Sequence, residues 1–131
     1  MAAGSVDALI WMMDPIERDL IHLILQRLGL KPKTVSELDT LLHLIETNRP
    51  SLIVIDMVLP GSNAFDLTRR VKEQYGRSAP RMVVYSTLAF VDVIQQARAV
   101  GVDEFLVKPV ESGIFEKRVS ELINKSLSAG S

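Results

Sequence analysis

Short apolar segments alternate with amphipathic helical segments along this chain, and that alternation limits the fold more than any other feature. Residues 8–12 and 52–55 are continuous apolar runs, and a helical pattern follows each of them. Strands that are apolar on both faces belong to parallel sheets with helices packed on each side. Because the alternation occurs five times, it predicts an α/β domain of the (βα)5 type, a three-layer sandwich around a five-stranded parallel sheet.

The first helix has the clearest start signal in the chain. Asp14 precedes Pro15, and Glu17 follows in the first turn, which is the pattern of an N-cap with proline at the first helical position. Apolar residues then recur every four positions, as expected of a helix with one buried face. The core face predicted for this helix comprises Leu20, Ile24 and Leu28.

The same patterns place the remaining elements. The predicted strands cover residues 8–12, 33–35, 52–55, 82–85 and 105–107. The predicted helices cover residues 15–28, 38–48, 64–75, 88–100 and 111–127. Residues 8–127 therefore form one expected domain, with an N-terminal tail at 1–7 and a C-terminal tail or linker at 128–131.

Composition excludes several classes of protein. The chain has 131 residues, no cysteine, and a formal net charge of −1. The absence of cysteine excludes disulfides and thiolate metal sites, and the near-neutral charge argues against a general nucleic-acid binder. No apolar run reaches the roughly 18 residues of a membrane span. We therefore expect a cytoplasmic protein that binds neither membranes nor, by this domain, nucleic acid.

Polar side chains stand where the predicted strands end. Asp56 follows the third strand, Ser86 the fourth and Lys108 the fifth. In parallel sheets of this type, ligands bind beyond the carboxyl ends of the strands. A carboxylate nucleophile beside a hydroxyl and an ammonium suits phosphoryl transfer, because the last two would bind the oxygens of the transferred group.

Two motifs around these residues resemble those of the response-regulator receiver domain, the CheY-like fold, over about residues 8–127. Residues 56–61 read Asp-Met-Val-Leu-Pro-Gly, similar to the acceptor loop of that family, and residues 101–109 read Gly-Val-Asp-Glu-Phe-Leu-Val-Lys-Pro, similar to its lysine segment. The resemblance implies a role for each matching position. Asp56 is the phosphoacceptor position, Ser86 the switch hydroxyl, Lys108 the phosphate-binding lysine and Phe105 the switch aromatic residue.

The chain departs from that family immediately after its first strand. Family members carry two acidic residues there, whereas this chain has Met12 and Met13. Magnesium takes hard oxygen ligands, and a thioether is a soft, uncharged donor. We therefore expect no cofactor and weak or absent Mg²⁺ binding. Asp14 has two interpretations, a surviving metal ligand or the N-cap of the first helix, and its neighbours favour the cap.

Loss of the acidic pair leaves Asp56 and Lys108 with fewer competing charges. We therefore expect the carboxylate and the ammonium to form a direct ion pair that fixes one conformation without phosphate.

The resemblance also implies a surface for partners. In the family, the fourth helix, fifth strand and fifth helix form the usual docking or dimerisation surface. Helix 88–100 has apolar residues on more than one side, so one side is either an exposed contact surface or part of a well-buried helix. We favour the contact surface. Its candidate residues are Phe90, Val91, Ile94, Phe105 and Val110.

Three functions fit these observations. The favoured one is a degenerate receiver, not an enzyme, that acts as a protein-interaction module without Mg²⁺-dependent phosphorylation. Its expected partners are a histidine kinase, an output domain or a second copy of the chain. The alternative is a phospho-switch still phosphorylated on Asp56 by a histidine kinase or phosphotransfer partner. The third, a flavodoxin-like enzyme or cofactor carrier, has only the fold in its favour.

Overall fold

A computed structural model of the chain describes residues 5–88, 90–109 and 111–130, the last six of these by their backbone alone. The strands are β1 (Ala8–Trp11), β2 (Pro32–Thr34), β3 (Leu52–Asp56), β4 (Arg81–Ser86) and β5 (Glu104–Val107). The helices are α1 (Pro15–Arg27), α2 (Leu38–Asn48), α3 (Ala64–Tyr75), α4 (Val91–Val100) and α5 (Ser112–Gly130). The strands form one parallel sheet in the order β2-β1-β3-β4-β5, which confirms the predicted fold class.

An apolar core lies on each face of the sheet. Ile10 of β1 packs on the side of α1 and α5, in a cluster that includes Phe115. The next residue, Trp11, points to the opposite face and is buried in a cluster with Leu41 of α2 and Leu67 of α3. Successive residues of a strand point to opposite faces, so a continuously apolar strand serves both cores at once.

Helix α1 begins as its sequence predicts, but its buried face is rotated. Asp14 is the N-cap, and its Oδ1 accepts hydrogen bonds from the N–H groups of Ile16 at 2.8 Å and Glu17 at 3.2 Å. The predicted core residue Leu20 is 43% exposed, whereas the adjacent Ile21 is buried. The prediction for Leu20 was wrong because Ile21 and Ile24 line the core, three residues apart, which turns Leu20 toward the rim.

Several boundaries differ from those predicted. Helix α4 begins at Val91 rather than at residue 88, because the hydroxyl of Ser86 accepts a hydrogen bond from the N–H of Leu88 at 2.9 Å and forms a turn there. Strand β3 includes Asp56, β2 lies one residue earlier than predicted, and α5 continues to Gly130. After β3, the two-residue strands Val58–Leu59 and Ser62–Asn63 form a small hairpin.

The predicted tails lie partly outside the described residues, since 1–4 and 131 are not among them. None of the helices in the described part of the chain is long and apolar enough to cross a membrane.

Candidate functional site

The carboxyl edge of the sheet brings Asp56, Ser86 and Lys108 together. Asp56 ends β3, Ser86 ends the neighbouring β4, and Lys108 follows β5 at once. All three line one cleft of 220 Å³, together with Thr87 in the turn after β4. The predicted convergence of a carboxylate, a hydroxyl and an ammonium is therefore present in the structure.

The carboxylate of Asp56 is buried, and the chain itself occupies both of its oxygens. The residue is only 4% exposed. Its Oδ1 lies 2.5 Å from the Nζ of Lys108, and its Oδ2 accepts a hydrogen bond from the N–H of Met13 at 2.6 Å. The predicted ion pair between Asp56 and Lys108 is confirmed. A buried carboxylate needs such partners, because an unpaired charge away from water is costly.

Glu17 is a second acidic partner of Lys108 that the sequence did not reveal. Its Oε1 lies 3.1 Å from the Nζ of Lys108. From sequence, Glu17 is a helix-start residue alone, because its position in the first turn of α1 explains its charge. The missing signal was topological. Strand β1 lies beside β3, so the first turn of α1 stands over the same edge of the sheet as Asp56 and Lys108.

The two carboxylates determine the protonation of Lys108. Burial by itself lowers the pKa of the ammonium. The hydrogen bonds to Asp56 and Glu17, together with their negative charges, outweigh that effect, so the pKa of Lys108 lies above its ordinary value. The Nζ also lies 5.7 Å from the centre of the Tyr85 ring. Lys108 is thus a charged group held at the cleft.

Ser86 and Phe105 occupy different environments. Ser86 is buried, and its hydroxyl accepts the hydrogen bond from Leu88 while lining the cleft beside Asp56. Phe105 is half-buried and lines a separate cleft of 290 Å³ with Ile94 of α4 and Arg118 of α5. Ser86 therefore lies in the same cleft as Asp56, whereas Phe105 does not line that cleft.

A match to a family model shows which protein family this chain belongs to. The model of the response regulator receiver domain matches residues 13–120. The chain belongs to that family. Receivers are in general non-enzymatic signalling domains of two-component systems, in which they interact with histidine kinases and output domains.

Individual relatives agree with the family assignment. The receiver is 28% identical to the transcriptional regulatory protein AfsQ1 of Streptomyces coelicolor over 86% of this chain and 48% of that protein. It is 30% identical to an uncharacterized 14.6 kDa protein of Leptolyngbya boryana over 82% of each. The receiver spans about half the length of the first curated relatives that it matches.

Solved structures share the fold. The chemotaxis response regulator CheY4 of Vibrio cholerae superposes with a TM-score of 0.77 at 20% identity, covering 88% of this receiver and 98% of that chain. Since this identity is low, the likeness concerns the architecture and not the chemistry of the pocket.

The residues of this receiver do not fit the Mg²⁺ ion that the family implies. Met12 is buried in the core under α1 and α5, and Met13, at 53% exposure, carries no charge. Asp14 serves as the helix cap, which supports that interpretation over a metal ligand. Among the described residues, no three His, Asp or Glu side chains form a metal-binding cluster. Mg²⁺ needs hard oxygen donors, and here the chain's own donors hold both oxygens of Asp56.

The candidate contact surface is exposed at the start of α4. Phe90 is 65% exposed and Val91 71% exposed. Ile94 and Phe105 are half-buried behind them, and Val110 lies outside the described residues. In α4 itself only Ala97 is buried. The structure thus favours an exposed apolar surface over a well-buried helix.

Proposed function

We propose that this receiver regulates a protein partner through its resting conformation, without Mg²⁺-dependent phosphorylation of Asp56. One observation carries the proposal. Lys108 and the N–H of Met13 occupy both oxygens of the Asp56 carboxylate, and two methionines stand where the family has its acidic pair. The carboxylate of Asp56 is thus paired with a cation of the chain itself, and the two methionines offer no hard oxygen donor for a divalent cation.

The chemistry of phosphoryl transfer supports this conclusion. A divalent cation normally neutralises the charge that builds up on the transferred group and orients it. Here Lys108 is the cation at the cleft, and its ammonium is already bound to two carboxylates. Attack by either oxygen of Asp56 would require that oxygen to give up a contact, with Lys108 for Oδ1 or with the N–H of Met13 for Oδ2. Transfer should therefore be greatly slowed.

The exposed start of α4 is the surface that we assign to the partner. Phe90 and Val91 are large apolar side chains open to solvent. Such residues are ordinary singly, but a contiguous group marks a contact site. A histidine kinase, an output domain or a second receiver are the partners that this family offers, and we place the protein in the cytoplasm.

The experiment is phosphorylation by a small donor. The receiver is incubated with Mg²⁺ and acetyl phosphate, and its intact mass is measured beside that of a receiver with a complete acidic pair. We expect the control to gain one phosphoryl group and this protein to gain none. A phosphoryl group on the protein that is absent in Asp56→Asn would overturn the proposal.

A matched variant tests whether the methionines cause the expected lack of Mg²⁺-dependent phosphorylation. Met13 is exposed, so Met13→Asp should fold and return one carboxylate to the pocket. We expect this variant to gain a measurable Mg²⁺-dependent phosphoryl signal. Met13→Asn, which adds a polar group without charge, serves as its control.

A second candidate function is the phospho-switch on Asp56. The observation in its favour is the cleft of 220 Å³ beside Asp56, bounded by Ser86, Thr87 and Lys108. A histidine kinase or phosphotransfer partner would supply the phosphoryl group directly. Labelled phosphate that moves from such a partner to the wild-type protein but not to Asp56→Asn would favour this function.

A further inference from the structure

We propose that Glu17 is a positioning residue, which together with Asp56 holds the Lys108 ammonium at the mouth of the cleft. This inference rests on the proposed function, since it explains how a receiver without its acidic pair keeps one resting conformation. It concerns a residue of α1 outside the two motifs of the pocket.

The geometry places Lys108 between two carboxylates from different elements. The Nζ lies 2.5 Å from Asp56 at the end of β3 and 3.1 Å from Glu17 in the first turn of α1. The side chains are 20% exposed for Lys108, 6% for Asp56 and 27% for Glu17. An ion pair at this depth is screened less by water and salt than a surface pair.

The helix cap and the proline before Glu17 fix the backbone from which its side chain extends. Asp14 accepts a hydrogen bond from the N–H of Glu17, and Pro15 sets the first residue of the helix. Both features hold the first turn of α1 in one conformation. Glu17 therefore reaches Lys108 from a rigid element, which reduces the entropy cost of the contact.

The charges facing Lys108 show what Glu17 adds. Asp56 faces it from β3, Glu17 from α1 and the Tyr85 ring from β4. Asp56 alone would neutralise the ammonium. The second carboxylate pulls the ammonium toward α1, so that Lys108 bridges two acids. A divalent cation makes such a bridge when a pocket has an acidic pair. In this receiver, the ammonium of Lys108 takes that place.

The arrangement has a consequence for anions that enter the cleft. An ammonium has three N–H donors, and the charge of this one already faces the carboxylates of Asp56 and Glu17. A phosphoryl group that binds the ammonium of Lys108 would compete with the carboxylate of Glu17 for that positive charge. Glu17 thus satisfies the lysine while the cleft is empty, and removal of its charge should free Lys108 to move.

The experiment observes the Lys108 ammonium directly. The full chain is labelled with ¹⁵N-lysine, without Mg²⁺ or phosphodonor, and Lys108→Met identifies the side-chain NH₃⁺ signal. We expect Glu17→Gln to shift that signal toward those of exposed lysines and to speed its hydrogen exchange, with Glu17→Asp in between. Glu73→Gln, on the exposed side of α3, is the control and should leave the signal unchanged.

A double-mutant cycle provides a second measurement. Glu17→Gln, Lys108→Met and the double variant are unfolded in urea. Direct contact predicts that the two changes are non-additive by about fivefold in the unfolding equilibrium constant. An unchanged Lys108 signal in Glu17→Gln, or additive effects, would overturn the inference. Neither measurement involves phosphorylation, so a failed mass experiment and a failed role for Glu17 remain distinguishable.

Discussion

At the scale of single residues, Lys108 determines the charge balance of the candidate site. It neutralises a buried carboxylate and also contacts a second one. Removing one member of a buried pair leaves an uncompensated charge, which costs more than the pair itself contributes. The ionisation of Lys108 is therefore coupled to the stability of the whole domain.

This coupling predicts a loss of stability at alkaline pH. The pKa of Lys108 is raised in the folded protein. The stabilisation is therefore complete below the ordinary lysine pKa of about 10.4, and it is lost as the pH rises through the higher folded value. In urea unfolding between about pH 9 and pH 11.5, the wild-type midpoint should fall more steeply than that of Lys108→Met.

Other groups titrate in the same range, so the comparison needs a lysine control. Lys117 lies exposed on α5. Lys117→Met should retain the steep wild-type decline. If Lys108→Met declines as steeply as the wild-type protein, the coupling between Lys108 and folding does not exist.

At the scale of elements, a cluster around Asp103 joins α3 to the amino ends of β4 and β5. Its Oδ2 lies 2.7 Å from the Nζ of Lys72 and accepts the N–H of Met82 at 2.8 Å, while its Oδ1 lies 3.3 Å from Nη1 of Arg81. At the other end of the sheet, β4 ends at Ser86 and Lys108 follows β5. The cluster thus helps to fix the edge strand on which the site depends.

Removing the carboxylate of Asp103 should destabilise the domain without changing the pocket. Asp103→Ala leaves Lys72 and the N–H of Met82 without this acceptor, and we expect a loss of about 2 to 3 kcal/mol. Urea unfolding measures it, with Glu73→Ala on the exposed side of α3 as the control, expected within about 0.5 kcal/mol of wild type. A loss equal to that of the control would contradict the role of this cluster.

Local signals in the sequence account for most of the elements. Helix α3 was predicted with its observed bounds from the Pro60-Gly61 turn before it, and in the structure Asn63 caps its start. The predicted start of α4 was wrong because the hydroxyl of Ser86 accepts a hydrogen bond from the N–H of Leu88 and forms a turn before the helix. Glu17 was missed for another reason, since its contact with Lys108 depends on the position of β1 beside β3 in the sheet. The periodicity of apolar residues shows which face of a helix is buried, but it does not show which polar side chains contact each other in the folded protein.

At the scale of the whole molecule, the strand order assembles the site. Strands β1 and β4 lie on either side of β3, so Met13, Asp56 and Ser86 reach one edge although they are distant in sequence. Trp11, at the end of β1, is buried against α2 and α3 and therefore reports on this edge by its fluorescence. Any ion bound there would stabilise the fold as a whole, because ligands that bind only the native state shift its equilibrium.

Because Met12 and Met13 offer no hard oxygen donor, we expect magnesium to leave the stability of this receiver unchanged. An ion that bound with a Kd of about 1 mM would add about 1.4 kcal/mol at 10 mM. In a domain of this size that raises the Tm by about 5 °C. We expect the same Tm and the same Trp11 emission in MgCl₂ and in EDTA with NaCl at matched ionic strength.

The variant Met13→Asp provides the comparison, because the residue whose N–H donates to Asp56 then carries a hard oxygen donor. Its Tm should rise with MgCl₂ and not with NaCl, which shows that the assay detects binding at this edge. A rise of about 5 °C in the wild-type protein would mean that Asp56 exchanges Lys108 for the metal. The ion pair would then be a resting contact that Mg²⁺ can open, and the phospho-switch would become the better account of this receiver.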